Sequence, residues 1–260
     1  MNQSIPHLPE RTLQPRESGL TMMMDKGLSI REAENFVSSS AAYTDLVKFG
    51  FGTALICMGL EEKISLYKSA ALKPYFGGTL FELFAVRNMF DEFRKLLDRY
   101  QVEYAEVSDG SMAIPHDEKL EYIRKLSGQV TVISEVGSKV AGVEIPDDQW
   151  VTMMKAELAA GSWKVIAEAR ESGNIGIYHN DGSANTGLID EIVRQIAVED
   201  VLWEAPNKNQ QVWFVQLLGA NVNLGNIAPG EVVSLESLRL GLRGDTFFNF
   251  LPESFHDKKL

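Results

Sequence analysis

The chain has 260 residues, of which 45% are hydrophobic and 23% charged, enough apolar side chain for one large α/β core or two small ones. A net charge of -11 and a pI of about 4.9 argue against a general surface for nucleic acid or anionic membrane, while leaving room for a local basic pocket. The single cysteine, Cys57, excludes an intrachain disulfide and a cysteine-based zinc site. The N-terminal stretch "MNQSIPHLPERTLQPRESG" lacks the apolar core of a signal peptide, and no apolar run reaches membrane-spanning length. These features predict a cytoplasmic protein with neither membrane nor nucleic acid among its partners.

In chain order, short apolar runs of strand length alternate with amphipathic stretches of helix length. The strand candidates are "LTMMMDKG" near 20–27, "LVKFGFGT" near 46–53, "KPYFGGTL" near 73–80, "VEYAEVSD" near 102–109, "VTVISEVG" near 130–137, "WKVIAEAR" near 163–170, "VLWEAP" near 201–206 and "ANVNLGNI" near 220–227. Helical patterns lie between them: "SIREAENFVSSSAAY", "ELFAVRNMFDEFRKLLDRY", "DEKLEYIRKLSG", "DDQWVTMMKAELAAG", "TGLIDEIVRQIA" and "KNQQVWFVQLLG". At the first of these Ser29 can cap, with Glu32 three residues on to complete a capping box. Eight such units in about 250 residues predict an α/β protein folded as a single (β/α)8 TIM barrel. The barrel is expected over residues 19–250, with an N-terminal extension at 1–18 and a C-terminal tail at 251–260. A doubly wound open sheet is the competing arrangement, and no GxGxxG follows the first strand to support its dinucleotide-binding form.

Four apolar runs carry a glutamate where a buried strand should be driest: Glu106 in "EYAEVSDG", Glu135 in "VISEVGSK", Glu168 in "VIAEARESG" and Glu204 in "LWEAPNK". In a TIM barrel the C-terminal strand ends form the active-site rim. Asp25, Lys26, Lys48, Glu82, Ser108, Asp109, Arg170, Asn223 and Asn226 are expected at the same rim. Strand alternation puts Glu106 with Ser108, and Glu168 with Arg170, on one face, which in a barrel can be the lumen. Buried charges are costly unless paired. An inward ion-pair network is one resolution, and a cation shared among the carboxylates is another. Oxygen donors without cysteine or clustered histidine suit Mg2+ better than zinc, and the lysines and arginine then suit an anionic substrate, phosphate or carboxylate. "NLGN" followed by "APGE" lies where phosphates often bind in such barrels, and also reads as an ordinary turn. The glycines of "FGGTLFE" carry the same two readings.

The blocks "MMMDKG", "KFGFGT", "FGGTLFE", "EVSDGS", "SEVGSK", "EARESG", "WEAPNKNQQ", "VNLGNI" and "LRLGLRGDT" resemble, in that order, those of the phosphosulfolactate synthase family, from about residue 10 to 250. The resemblance implies a (β/α)8 barrel and a Mg2+-dependent addition of sulfite to phosphoenolpyruvate, giving (R)-2-phospho-3-sulfolactate for sulfonate biosynthesis of the coenzyme M type. It implies Lys139 as the proton donor, with Glu135 and Glu168 as further catalytic residues. The metal set is expected among Asp25, Glu82, Glu106 and Glu135, and the substrate anions on Lys26, Lys48, Arg170, Ser172, Asn223, Gly225 and Asn226. Arg239, Arg243 and Asp245 are expected to be structural or interface residues. Barrels of this type commonly associate, so a homo-oligomer is expected. The family also includes plant heat-stress-associated proteins, so a non-catalytic role is one alternative. A Schiff base on Lys139, as in an aldolase, is another.

Overall fold

The computed structural model describes residues 5–138 and 145–259. Eight parallel strands, each hydrogen-bonded to the next, close in chain order: β1 (Thr21–Asp25), β2 (Leu46–Phe49), β3 (Lys73–Phe76), β4 (Tyr104–Val107), β5 (Thr131–Val136), β6 (Ser162–Ala167), β7 (Val201–Glu204) and β8 (Leu224–Ile227). Around them run α1 (Ile30–Ser40), α2 (Leu60–Ser69), α3 (Gly78–Ala85), α4 (Phe90–Tyr100), α5 (His116–Ser127), α6 (Asp147–Ala160), α7 (Thr186–Gln195), α8 (Lys208–Leu218) and α9 (Val232–Arg239). This is the (β/α)8 barrel that the alternation of apolar runs and amphipathic stretches implies. None of these helices is long and apolar enough to cross a membrane.

Because both faces of a parallel barrel strand are buried, its side chains alternate between lumen and helix layer. Leu20, Met22, Leu46, Tyr75, Ile133, Ile166 and Leu202 fill the lower lumen. Outward-facing Met23, Val47, Phe49, Val165 and Trp203 join the larger core beneath the helices. Counting two residues onward from Met22, Leu46, Tyr75, Ile133, Ile166 and Leu202, and from Tyr104 beside them, gives Met24, Lys48, Gly77, Glu135, Glu168, Glu204 and Glu106. The chain thus stacks a charged layer on an apolar one at the C-terminal end.

Two local expectations are corrected. The stretch "ELFAVRNMFDEFRKLLDRY" makes two helices, because Asn88 adopts a left-handed conformation (φ +57°) and the Met89 N–H closes on the Phe84 carbonyl at 2.9 Å. Asparagine is among the few residues that tolerate this geometry. The eighth strand begins at Leu224, so Asn223 precedes it. The N-terminal extension is tied to the bottom of the barrel: Arg11 pairs with Glu236 at 3.0 Å and Arg16 with Asp45 at 3.1 Å.

Candidate active site

At the C-terminal mouth lies a cavity of about 510 Å3, lined by Met24, Lys48, Phe51, Thr79, Ser111, Glu135, Ala169, Arg170, Glu171, Ser172, Glu204 and Asn226. Its floor is the charged lumen layer. The Lys48 ammonium stands 2.9 Å from Glu106 and 3.4 Å from both Glu135 and Glu204. Burial would pull the Lys48 pKa down, but the three carboxylates outweigh it and hold it well above the ordinary lysine value. Burial pushes the Glu204 carboxyl up to about 7, against the opposing pull of Lys48, and the neighbouring Glu135 adds to the rise. The Ala169 N–H donates to Glu204 Oε2 at 2.9 Å. Glu106 is held from three sides, by Lys48, by the Gly78 N–H at 2.6 Å and by the Tyr75 hydroxyl at 3.2 Å. Burial and the proximity of Glu106 keep Tyr75 protonated, its pKa well above the usual phenol value.

The expected site residues separate into groups. Lys48, Glu135, Arg170, Ser172 and Asn226 line the cavity together. Lys26 sits at its edge, paired with Glu171 of the β6–α7 loop. Lys48 reaches the site as a counter-charge to three carboxylates rather than as an open anion binder. Glu106 lies beneath the cavity. Glu82 projects from α3 and accepts from the Ser108 hydroxyl. Glu168 is fully buried just beyond β6, against Gly137, whose φ is +144° and where any side chain would come within 2.6 Å of Glu168 Cβ. The glycine of "SEVGSK" is therefore needed both for its backbone angle and for the close approach. Lys139 lies outside the described residues.

Three expectations are corrected by where the residues sit on or beside their strands. Asp25 faces outward into the helix layer, where it accepts from the Tyr67 hydroxyl at 2.8 Å and pairs with Lys63 at 2.7 Å. Its other oxygen accepts from the Gly27 and Leu28 N–H groups. It is a saturated structural carboxylate, not a donor to the cavity. Asn223 lies at the opposite, N-terminal end of the barrel, where its side chain ties Leu20, Glu199 and Val201 together. Gly225 occupies the lower lumen, where a side chain would meet Met22 at 2.7 Å. The residues that the sequence reading did not select are Tyr75 and, in the cavity lining, Met24, Phe51, Thr79, Ser111, Ala169 and Glu171. Tyr75 could have been found from strand phase, as the lumen-facing residue one before the end of β3. Glu204, visible as a strand-end glutamate, belongs with Glu135 in the site.

An eight-stranded barrel with a charged, oxygen-lined cavity at its C-terminal strand ends defines an enzyme of the (β/α)8 class. The sequence pattern of the family described as (2R)-phospho-3-sulfolactate synthase (ComA) matches residues 9–245. The chain is 40% identical over 251 residues to the phosphosulfolactate synthase of Bacillus subtilis, covering 95% of this chain and 100% of that protein. It is 39% identical over 237 residues to the phosphosulfolactate synthase of Methanocaldococcus jannaschii, covering 89% and 94%. In shape it is similar to 3-hexulose-6-phosphate synthase from Salmonella typhimurium, with a TM-score of 0.55 at 11% identity over 86% of this chain and 100% of that one. It is also similar to 3-keto-L-gulonate-6-phosphate decarboxylase from Vibrio cholerae, with a TM-score of 0.55 at 12% identity over 90% and 98%. At such identities these two likenesses show the barrel alone. The chain belongs to the (2R)-phospho-3-sulfolactate synthase family and is an enzyme of that type.

Proposed function

We propose that the mouth cavity joins sulfite to C3 of phosphoenolpyruvate, giving (R)-2-phospho-3-sulfolactate. The observation that carries this reading is a cavity, in a chain of this family, where Arg170, Ser172 and Asn226 share the lining with the Lys48, Glu135 and Glu204 cluster. A sulfur lone pair forms the bond to C3 while the C2–C3 π electrons move toward C2 and the carboxylate. A proton then adds to C2. Arg170 can hold an anionic end of the substrate by paired N–H donors, and Ser172 and Asn226 add neutral polar contacts. Lys139, outside the described residues, keeps the role of proton donor that the resemblance implies. The Lys48 cluster fixes Glu135 and Glu204 at the floor of the cavity.

The donor set fits Mg2+. Glu135 and Glu204 both line the cavity, and carboxylate oxygens are the donors that Mg2+ takes from protein. Among the described residues no group of three or more histidine, cysteine or acidic side chains forms a ready-made metal cage. Mg2+ characteristically takes one or two carboxylates and completes its shell with water and substrate oxygens. Glu135 and Glu204 would hold the ion, and when bound it supplies Lewis-acid stabilisation of negative charge on the substrate carboxylate. On the same reading the product feeds sulfonate biosynthesis of the coenzyme M type.

The test is incubation of the purified protein with phosphoenolpyruvate, sulfite and Mg2+, followed by 31P NMR with and without EDTA. A new phosphate-ester signal that needs both sulfite and metal is the expected result. No new signal from folded protein, across several divalent metals, overturns the reading.

A further inference from the structure

Apart from Ala169, the apolar lining of the cavity is one side wall, built from Met24 at the end of β1 and Phe51 just beyond β2. Two observations show that this wall is constructed. A side chain at Gly50 would lie 2.4 Å from the Met24 sulfur, so the glycine is what lets the thioether lie across the end of β2. Phe51 itself holds a left-handed backbone with φ +54°, a costly conformation for a bulky residue. Its side chain does not offset that cost within the fold, since the residue remains 52% exposed. Such strain persists at sites where a side chain is aimed at a ligand. In the barrel order β2 lies four strands from β6. Phe51 therefore stands across the mouth from the loop that carries Arg170 and Ser172.

Phosphoenolpyruvate, the substrate of the reading on which this inference rests, carries charge at its phosphate and carboxylate and is apolar at one place, the C3 methylene. We infer that the wall of Met24 and Phe51 seats the C3 methylene while Arg170 and Ser172 take an anionic end, so that Phe51 selects for a small apolar terminus. The ring also excludes water from that side of the carbon that sulfite attacks.

Two saturated probes that cannot turn over test this: 2-phospholactate, which keeps a methyl group at the C3 position, and phosphoglycolate, which lacks it. Their affinities are measured by titration calorimetry in the presence of Mg2+. The wild-type protein is expected to prefer 2-phospholactate roughly fourfold, the value of one buried methyl group. Phe51→Gly is expected to bring that ratio toward one without lowering the melting temperature, because glycine relieves the backbone strain. Phe51→Leu is expected to keep the preference. If Phe51→Gly fails to fold, Phe51→Gln gives the same comparison with the backbone unchanged. A preference that survives loss of the ring, or a wild-type protein that binds both probes equally, overturns the inference. A wild-type protein that binds neither overturns the phosphoenolpyruvate reading itself, and the inference with it.

Discussion

Lys48 serves three carboxylates with one ammonium group. Replacing it by methionine leaves Glu106, Glu135 and Glu204 buried without the cation they share, a change expected to cost about 3–5 kcal/mol. Urea denaturation of Lys48→Met measures the loss. A Lys48→Met, Glu106→Gln double variant should recover part of it, since one of the stranded charges is then removed. Denaturation together with the Mg2+ dependence of activity separates Asp25 from the site. Asp25→Asn should destabilise the fold, because Lys63 loses its buried partner, yet leave the Mg2+ concentration for half-maximal activity unchanged. Glu135→Gln should raise that concentration about tenfold or more. A shift in metal dependence with Asp25→Asn would return it to the metal set. Residue chemistry was legible in the sequence wherever strand phase was: Glu106, Glu135, Glu168 and Glu204 each fall two residues beyond a lumen side chain. Asp25 looks the same in sequence, but it follows Met24 on the opposite face. Asn223 was misplaced because the apolar alternation of Ala220, Val222 and Leu224 begins before the strand itself, which starts only at Leu224.

At the scale of elements, two buried helix lysines brace the mouth. Lys63 of α2 donates to the Leu28 carbonyl at 2.7 Å as well as pairing with Asp25. Lys119 of α5 donates to the Glu135 carbonyl at 2.6 Å and pairs with Asp109 at 2.7 Å and Glu157 at 2.8 Å. It thereby locks the end of β5, where a cavity residue sits, to α5 and α6. Burial works against its charge, but Glu157 and Asp109 prevail and raise its pKa above the ordinary 10.5. A lysine with a raised pKa binds its proton more tightly when folded, so its contribution is complete below pH 10.5 and is lost as pH rises through the folded value. Lys119→Met is expected to cost about 3–5 kcal/mol at neutral pH and to show a shallower loss of stability above pH 10.5 than the wild type. Denaturation curves across that range check both. The capping box at Ser29 and Glu32 was readable from spacing and is present. The break between α3 and α4 was not, because "AVRNMF" continues the helical pattern, and only the backbone of Asn88 shows where it stops.

At the scale of the whole molecule, the barrel depends on its N-terminal segment. Arg11 reaches the Ala220 carbonyl at 3.0 Å in addition to Glu236. Arg16 pairs with Asp45, whose other oxygen accepts from the Thr21 N–H at 2.9 Å. Beside them the fully buried Arg239 donates to the carbonyls of Ala220, Val222 and Leu20, fastening α9 to the starts of β8 and β1. Burial pulls its pKa down to about 9, which still leaves it charged at neutral pH. Arg11, on the Ala220 and Gly19 carbonyls, and Arg239 stitch the last strand to the first, while Arg16 ties the segment to the start of β2. Composition could not show this, because a polar, proline-bearing segment reads as an extension whether it hangs free or folds across a barrel end. Deletion of residues 1–18 should therefore strand Asp45 and Glu236 and lower the melting temperature by roughly 10 °C or more, the equivalent of losing one or two buried ion pairs in a domain of this size. Arg16→Met, which keeps the segment but removes one pair, should produce a smaller loss in the same direction. A truncated barrel as stable as the full chain would mean that Arg11 and Arg16 are passengers, and that Arg239 and the strand hydrogen bonds hold the seam without the segment.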